Sequence, residues 1–244
     1  QWDRIWINEG DAGMDNVFRN VVIKNSLIGI QCEPVPWLVD LPTTANKLVL
    51  DNVKIQNCSA AGILSRNYRI TSTNLLVADC GQYCMALTGG GQYDFNQTTV
   101  ANYWNWEVRN TPAFAMTNQF TDLNGAVQTR EIETSTFRNG IIYGPNTNEF
   151  EVNVDDAQPA SYTFNYWLFR TDQPTNDAVH FPEQIHIWRN QDPGFVNSGE
   201  GDYHLGNSSA IPVNNGQFDI SAINDLDGVL RDGQPDLGCY EFVP

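Results

Sequence analysis

The sequence predicts an all-β protein, a parallel β-helix (a solenoid of stacked coils) with a C-terminal capping segment. Three observations lead there. A nine-residue phrase recurs along the chain, it alternates apolar and polar residues with period two, and each copy ends on a polar bend.

The phrase reads FRNVVIKNS at Phe18–Ser26, LDNVKIQNC at Leu50–Cys58 and STNLLVADC at Ser72–Cys80. Three weaker copies follow at Phe95–Tyr103, Ile132–Gly140 and Phe164–Asp172. The spacing of these starts is uneven. Its shortest interval, from Leu50 to Ser72, sets a minimal coil of about 22 residues, and the longer intervals carry insertions of variable length. The sixth residue of each copy is apolar: Ile23, Ile55, Val77, Val100, Phe137 and Phe169. Its alternation with polar neighbours is that of a strand with one buried face, so stacking the copies puts these six side chains in one column. The repeats favour Val, Ile, Thr, Asn and Gly over Ala, Leu, Glu and Lys, which disfavours a helical solenoid.

The eighth residue is polar in every copy. Asn25, Asn57, Asp79, Asn102 and Asn139 are expected to form a structural ladder at the bend after the strand, where Asn and Asp tolerate unusual backbone angles and bond a neighbouring turn. Cys58 and Cys80 share the ninth position of consecutive coils, which predicts Cα atoms one strand spacing apart, roughly 4.8 Å. That separation permits a disulfide, with Cys80 and Cys84 as the competing pair. Cys32 and Cys239 bring the total to five, so at least one thiol is left over within the chain. Paired C-x-x-C motifs are absent, and zinc is not expected.

Residues 1–176 read as coils with insertions, and 177–244 as the final coil and capping segment. The formal charge of −16 argues against nucleic acid, which is held by clustered Lys and Arg. No apolar run is long enough to span a bilayer. The chain opens at Gln1 without an initiator Met and enters a strand-like stretch at once, so we expect a processed product or a piece of something longer.

Toward its C-terminus the sequence changes character. DPGFV at 192–196, GDYHL at 201–205, SSAI at 208–211, DLDG at 225–228, Arg231 and PDLGCYEF at 235–242 together resemble the C-terminal segment of a family of secreted bacterial right-handed parallel β-helix repeat proteins, within the pectate-lyase-like superfamily. GGGQYDF at 89–95 and ANYW at 101–104 are similar to coils of the same proteins. The resemblance implies a right-handed β-helix, export to the cell exterior or surface (outer-membrane association included), and a carbohydrate-associated role. It also implies further coils on the N-terminal side of full-length relatives, which would cover the first coil's open sheet edge. The superfamily includes polysaccharide lyases and glycosidases, but likeness of fold does not carry chemistry.

Read for chemistry, the residues give few convergent groups. A glycosidase needs two facing carboxylates; Asp155 and Asp156 are neighbours in a loop and read as solvated. A lyase needs a cation for the uronate and a base for its α-proton; Arg66, Arg69, Arg109, Arg130 and Arg138 form no motif. Asp225 and Asp227 alternate as calcium ligands do, without the rest of a calcium loop. We read them as a turn with Arg231 as the partner of one; no cofactor is expected, and calcium is the cation this spacing would admit.

The most suggestive surface feature is YWNWEVR at Tyr103–Arg109. In an extended segment Trp104 and Trp106 share a face, where flat rings stack on sugars; the competing reading has them covering the core. Trp104, Trp106 and Arg109 are the candidate ligand-binding residues. The function expected is non-catalytic polysaccharide binding, or scaffolding in a larger surface assembly, with a lyase or glycoside hydrolase as the alternative.

Overall fold

Continuous strand signals in this chain are interrupted by single Asn or Asp residues that can take a left-handed backbone, and the folded protein bends at those residues. The computed structural model describes residues 1–11, 13–34 and 42–244. The strands are β1 (Ile5–Asn8), β2 (Asn16–Lys24), β3 (Ile28–Glu33), β4 (Lys47–Cys58), β5 (Ala61–Cys80), β6 (Tyr83–Ala101), β7 (Phe114–Thr117), β8 (Gln119–Thr121) and β9 (Val127–Thr129). They continue with β10 (Ile132–Tyr143), β11 (Phe150–Asn153), β12 (Ala160–Phe169), β13 (Ile187–Arg189), β14 (Phe195–Asn197) and β15 (Asp202–Leu205). The chain is all-β, and among the described residues 11 strands form one sheet with parallel pairings throughout. The pairs β8/β9 and β14/β15 stand apart as antiparallel ribbons.

β5 shows how one repeat is built, in three segments. Ala61–Ser65 lies beside β3, whereas Arg69–Thr73 and Leu75–Ala78 lie beside two successive stretches of β4. The next repeat, β6, follows the same path, with Ala61 opposite Tyr83 and Ala78 opposite Ala101. The bends fall at Asn67, Asn74 and Asp79, with φ of 46°, 51° and 53°.

The expected column of sixth residues holds for Ile23, Ile55, Val77 and Val100, which are in register and buried. It continues through Ile142 and Phe169, not through Phe137. Phe137 belongs to the column of first residues, with Phe18, Leu50, Ser72, Phe95 and Phe164. The fifth copy therefore begins at Phe137 rather than at Ile132, which lengthens the insertion before it and shortens the one after it. The physical reason is the bend at the third residue. It resets the alternation so that positions one, four and six all face the interior, and an aromatic fits the first as well as the sixth.

That third position is itself a column of left-handed residues: Asn20, Asn52, Asn74, Gln97, Asn139 and Tyr166, with φ between 51° and 62°. Asn52 Nδ2 donates to Asn20 Oδ1 at 3.2 Å, and Asn74 Nδ2 to Asn52 Oδ1 at 2.9 Å. Asn139 thus leaves the ladder expected for it and bonds Asn96 Oδ1 instead, at 2.9 Å. Of the other expected rungs, Asn25, Asn57 and Asp79 share a left-handed corner, and Asn57 Nδ2 donates to Asn25 Oδ1 at 2.6 Å. Asn102 occupies the next rung but is buried, its amide closing on the backbone N–H and C=O of Cys80 at 3.0 and 2.9 Å.

Cys58 and Cys80 are directly opposed, as the shared ninth position requires. Both are thiols, as are Cys32, Cys84 and Cys239, and all five are buried. Burial pushes the Cys32 and Cys239 thiols up to about 12.

The interior changes from aliphatic to aromatic along the stack. Phe95, Phe137 and Phe164 stack with centroids 5.5 and 4.4 Å apart, and Phe164 meets Trp167 edge-on at 5.5 Å.

The C-terminal segment lies along the sheet's outer flank. Tyr203, Cys239 and Tyr240 pack on Leu76, Ala78 and Ala101, while Leu205 and Leu237 pack on Ile141 and Leu168. The cause is legible in Leu75–Val77, Gly140–Ile142 and Trp167–Phe169, where apolar residues run without alternation. Such strands have two faces to bury. Gln217 N and O bond the Asn139 amide at 2.7 and 2.9 Å, and Asn224 O accepts from Asn74 Nδ2 at 2.8 Å, so the segment is also stitched to the third-position column. No helix among the described residues is long and apolar enough to cross a membrane.

Candidate functional site

The left-handed corner that carries Asn25, Asn57 and Asp79 opens onto a groove of about 550 Å³. Lys24 and Gln56, which precede the first two of these, complete its floor. One wall is the stretch Tyr103–Trp106, leaving the end of β6; the other is the tight turn Ser198–Gly201 that joins β14 to β15. A smaller hollow of about 260 Å³ extends past Trp104 and Trp106 to Gln1 and Ser59.

Trp104 and Trp106 both line this groove, though not through the strand alternation the sequence suggested. Residues 102–110 form no strand, so alternation does not align the rings. The turn brings their centroids to 6.5 Å at an interplanar angle of 45°. Trp106 is 78% exposed; Trp104 is half-buried, and its indole Nε1 is enclosed without a hydrogen-bond partner. The two rings thus differ in burial, Trp106 standing out from the surface and Trp104 packed partly into it.

Arg109 is not in the groove. Its guanidinium is buried and forks onto Glu149, with Nη1 2.7 Å from Oε2 and Nη2 2.5 Å from Oε1. It also bonds the carbonyls of Asn102 and Thr111, which closes the base of the stretch that carries the tryptophans. Arg109 thus holds the backbone of the stretch that carries the tryptophans.

Asp79 is the residue whose chemistry the ladder reading missed. Burial raises its carboxyl pKa, against the lowering effect of the Tyr203 hydroxyl, which donates at 2.5 Å, and of the Tyr103 N–H at 3.3 Å. Glu200 lines the same groove and is exposed. The available signal was an Asp at a position that the preceding copies fill with Asn.

The other sequence candidates stay apart. Asp155 and Asp156 are exposed, and the Asp155 backbone is tied to the distant Asn118, accepting at its carbonyl from Nδ2 at 2.7 Å and donating its N–H to Oδ1 at 2.8 Å. Arg66 pairs with Glu33 at 3.1 Å, Arg69 with Glu133 at 3.3 Å, and Arg138 with Asp94 and Asp219 at 3.0 and 3.1 Å. Arg130 lies over the Phe120 ring at 4.5 Å. Asp225 accepts from the N–H groups of Asp227, Val229 and Glu241 at 2.9, 2.8 and 2.9 Å, which is the work of a turn and a clasp. Arg231 pairs with Glu241 rather than with Asp225 or Asp227. Among the described residues no group of three or more His, Cys, Asp or Glu side chains is placed to hold a metal ion.

The β14/β15 ribbon that forms the second wall is pinned by His204. Its Nδ1 lies 2.6 Å from Asp202 Oδ1 and its Nε2 2.8 Å from Asp227 Oδ2, while Lys54 Nζ donates to Asp227 Oδ1 at 2.8 Å. Partial burial opposes the charged ring, but the hydrogen bonds and charges of the two carboxylates outweigh it and raise the His204 pKa. The folded protein then holds this proton more tightly than the unfolded chain does. The stabilisation is complete below about pH 6.5 and is lost as pH rises through the folded value. His204 and both carboxylates are each about two-fifths exposed, so screening holds the effect below about 1 kcal/mol. Thermal unfolding across neutral pH is expected to show a downward slope that His204→Gln flattens; an unchanged slope would remove His204 as its source.

Compared with protein-family models, curated proteins and solved structures, the chain matches none.

Proposed function

We propose that this chain is part of a secreted or cell-surface right-handed parallel β-helix of the pectate-lyase-like kind, and that it binds polysaccharide along the groove without transforming it. The observation that carries this reading is the meeting of an exposed indole, Trp106, with a floor of side-chain amides in one open channel. Rings cover the apolar faces of sugars, and amides donate to and accept from hydroxyls. Repeats in parallel register, with one flank left open along the ladder, support a binding face that follows an extended chain. Scaffolding in a larger surface assembly is compatible with the same face.

A second reading, glycan hydrolysis, is favoured by Asp79 and Glu200 lining one groove, with burial raising the Asp79 carboxyl as an acid catalyst requires. A glycan array read together with release of new reducing or unsaturated ends separates the two. Binding without turnover is the expected result, and Trp106→Ala is expected to weaken it about tenfold or more. Because Trp106 is exposed, its replacement leaves folding intact. Turnover abolished by Asp79→Asn would replace the binding reading with the hydrolytic one.

A further inference from the structure

The character of the groove allows its ligand to be narrowed, on the premise that the groove binds carbohydrate. We infer that the ligand is a neutral, polyhydroxylated glycan rather than a polyuronate or another acidic polymer.

The first observation is local charge. Among the described residues lining the groove, Lys24 is the single cation, and two acids, Asp79 and Glu200, line it as well. The arginines that could recognise uronate carboxylates lie elsewhere in the fold. Arg109 is buried on Glu149, Arg66 and Arg69 are paired with Glu33 and Glu133, and Arg138 is shared by Asp94 and Asp219. With a net charge of −16 on the whole chain, a polyanion approaches against repulsion at long range as well as at the site.

The second observation is hydrogen-bond type. A carboxylate ligand accepts only, whereas a hydroxyl both donates and accepts. The floor offers both functions. Asn57 donates one N–H to Asn25 Oδ1, and among the described residues no further side-chain partner meets the Asn25 amide nitrogen or the Asn57 carbonyl. The Gln56 and Asn105 amides add a donor and an acceptor each. Because Asn25 and Asn57 occupy equivalent corners of successive repeats, these groups recur at one strand spacing, roughly 4.8 Å. An extended chain of hydroxylated rings presents its groups periodically along such a line, with Trp106 covering a ring face.

The test is calorimetric titration of the whole chain, and of its Trp106→Ala variant, with length-matched neutral oligosaccharides (β-linked glucans, mannans and galactans) and galacturonic acid oligomers. Binding of a neutral series at least about tenfold tighter than the uronates, insensitive to added salt and weakened about tenfold or more in Trp106→Ala, is the expected result. Uronates that bind as tightly as the neutral series or tighter, and are weakened both by salt and by Trp106→Ala, would overturn the inference while leaving the carbohydrate reading in place. Binding of neither class, or binding untouched by Trp106→Ala, would overturn both.

Discussion

Arg231→Ala is expected to lower the unfolding free energy by about 3–5 kcal/mol, the usual result of leaving one member of a buried ion pair unpaired. Arg231 and Glu241 are 1% and 9% exposed in their side chains, so water cannot replace the missing partner. Arg231 Nη2 also donates to Asn74 Oδ1 at 3.1 Å and to Gly238 O at 3.2 Å, joining the C-terminal segment to the third-position column of the sheet. Glu241 Oε1 in turn accepts from Asp236 N at 2.9 Å. Hydrogen exchange should therefore place the new opening in residues 213–242 first. Burial, helped by nearby Asp236 and opposed by Arg231, pushes the Glu241 carboxyl up to about 7. A carboxyl raised in the folded state favours folding while protonated, so its contribution falls as pH climbs from about 4.5 through about 7. The cost of Arg231→Ala should accordingly be smaller in mild acid than above neutrality. Urea unfolding at both pH values checks this, and a loss below about 1 kcal/mol in each would show that the pair does not hold the segment.

Arg109→Ala carries a penalty of the same order, about 3–5 kcal/mol, with a functional consequence that Arg231 lacks. Glu149 is fully buried and keeps the N–H groups of Ala113 and Asn146, each at 2.9 Å, but loses its counter-charge. The carbonyls of Asn102 and Thr111 are released together, and between them runs the stretch that presents Trp104 and Trp106. Affinity for glycan should fall although Arg109 does not line the groove. Arg109→Lys should restore only part of both properties, because a point charge cannot serve a carboxylate and two carbonyls in the geometry of a planar fork. Unfolding and calorimetric titration on the same samples check the coupling. Lost stability with unchanged affinity would mean that the tryptophan stretch holds its shape by itself.

Much of the architecture was legible in the chain because its signals are local. The phrase at Phe18, Leu50, Ser72 and Phe95 gave the register of the first repeats, down to the opposition of Cys58 and Cys80. The register failed at Phe137, since two positions of the phrase face inward and an aromatic satisfies either. The column Asn20, Asn52, Asn74 held the missing signal: aligning left-handed Asn residues at the third position would have put Asn139 there and moved the start from Ile132 to Phe137. For the site, the two tryptophans were found on a strand argument that does not hold for residues 102–110, and Arg109 was placed with them by proximity in sequence alone.

What the sequence by itself determined is the repeating parallel register, since period-two burial and left-handed corners are properties of neighbouring residues and survive without long-range contacts. Tertiary structure alone decided the rest. The turn Ser198–Gly201 meets the corner of Asn57 and Asp79 from a distant part of the chain, and Arg109 and Arg231 each chose one carboxylate among 29 acids. Such choices depend on which groups are buried together once the flank is covered. Burial is a property of the packed whole, and no local pattern encodes it.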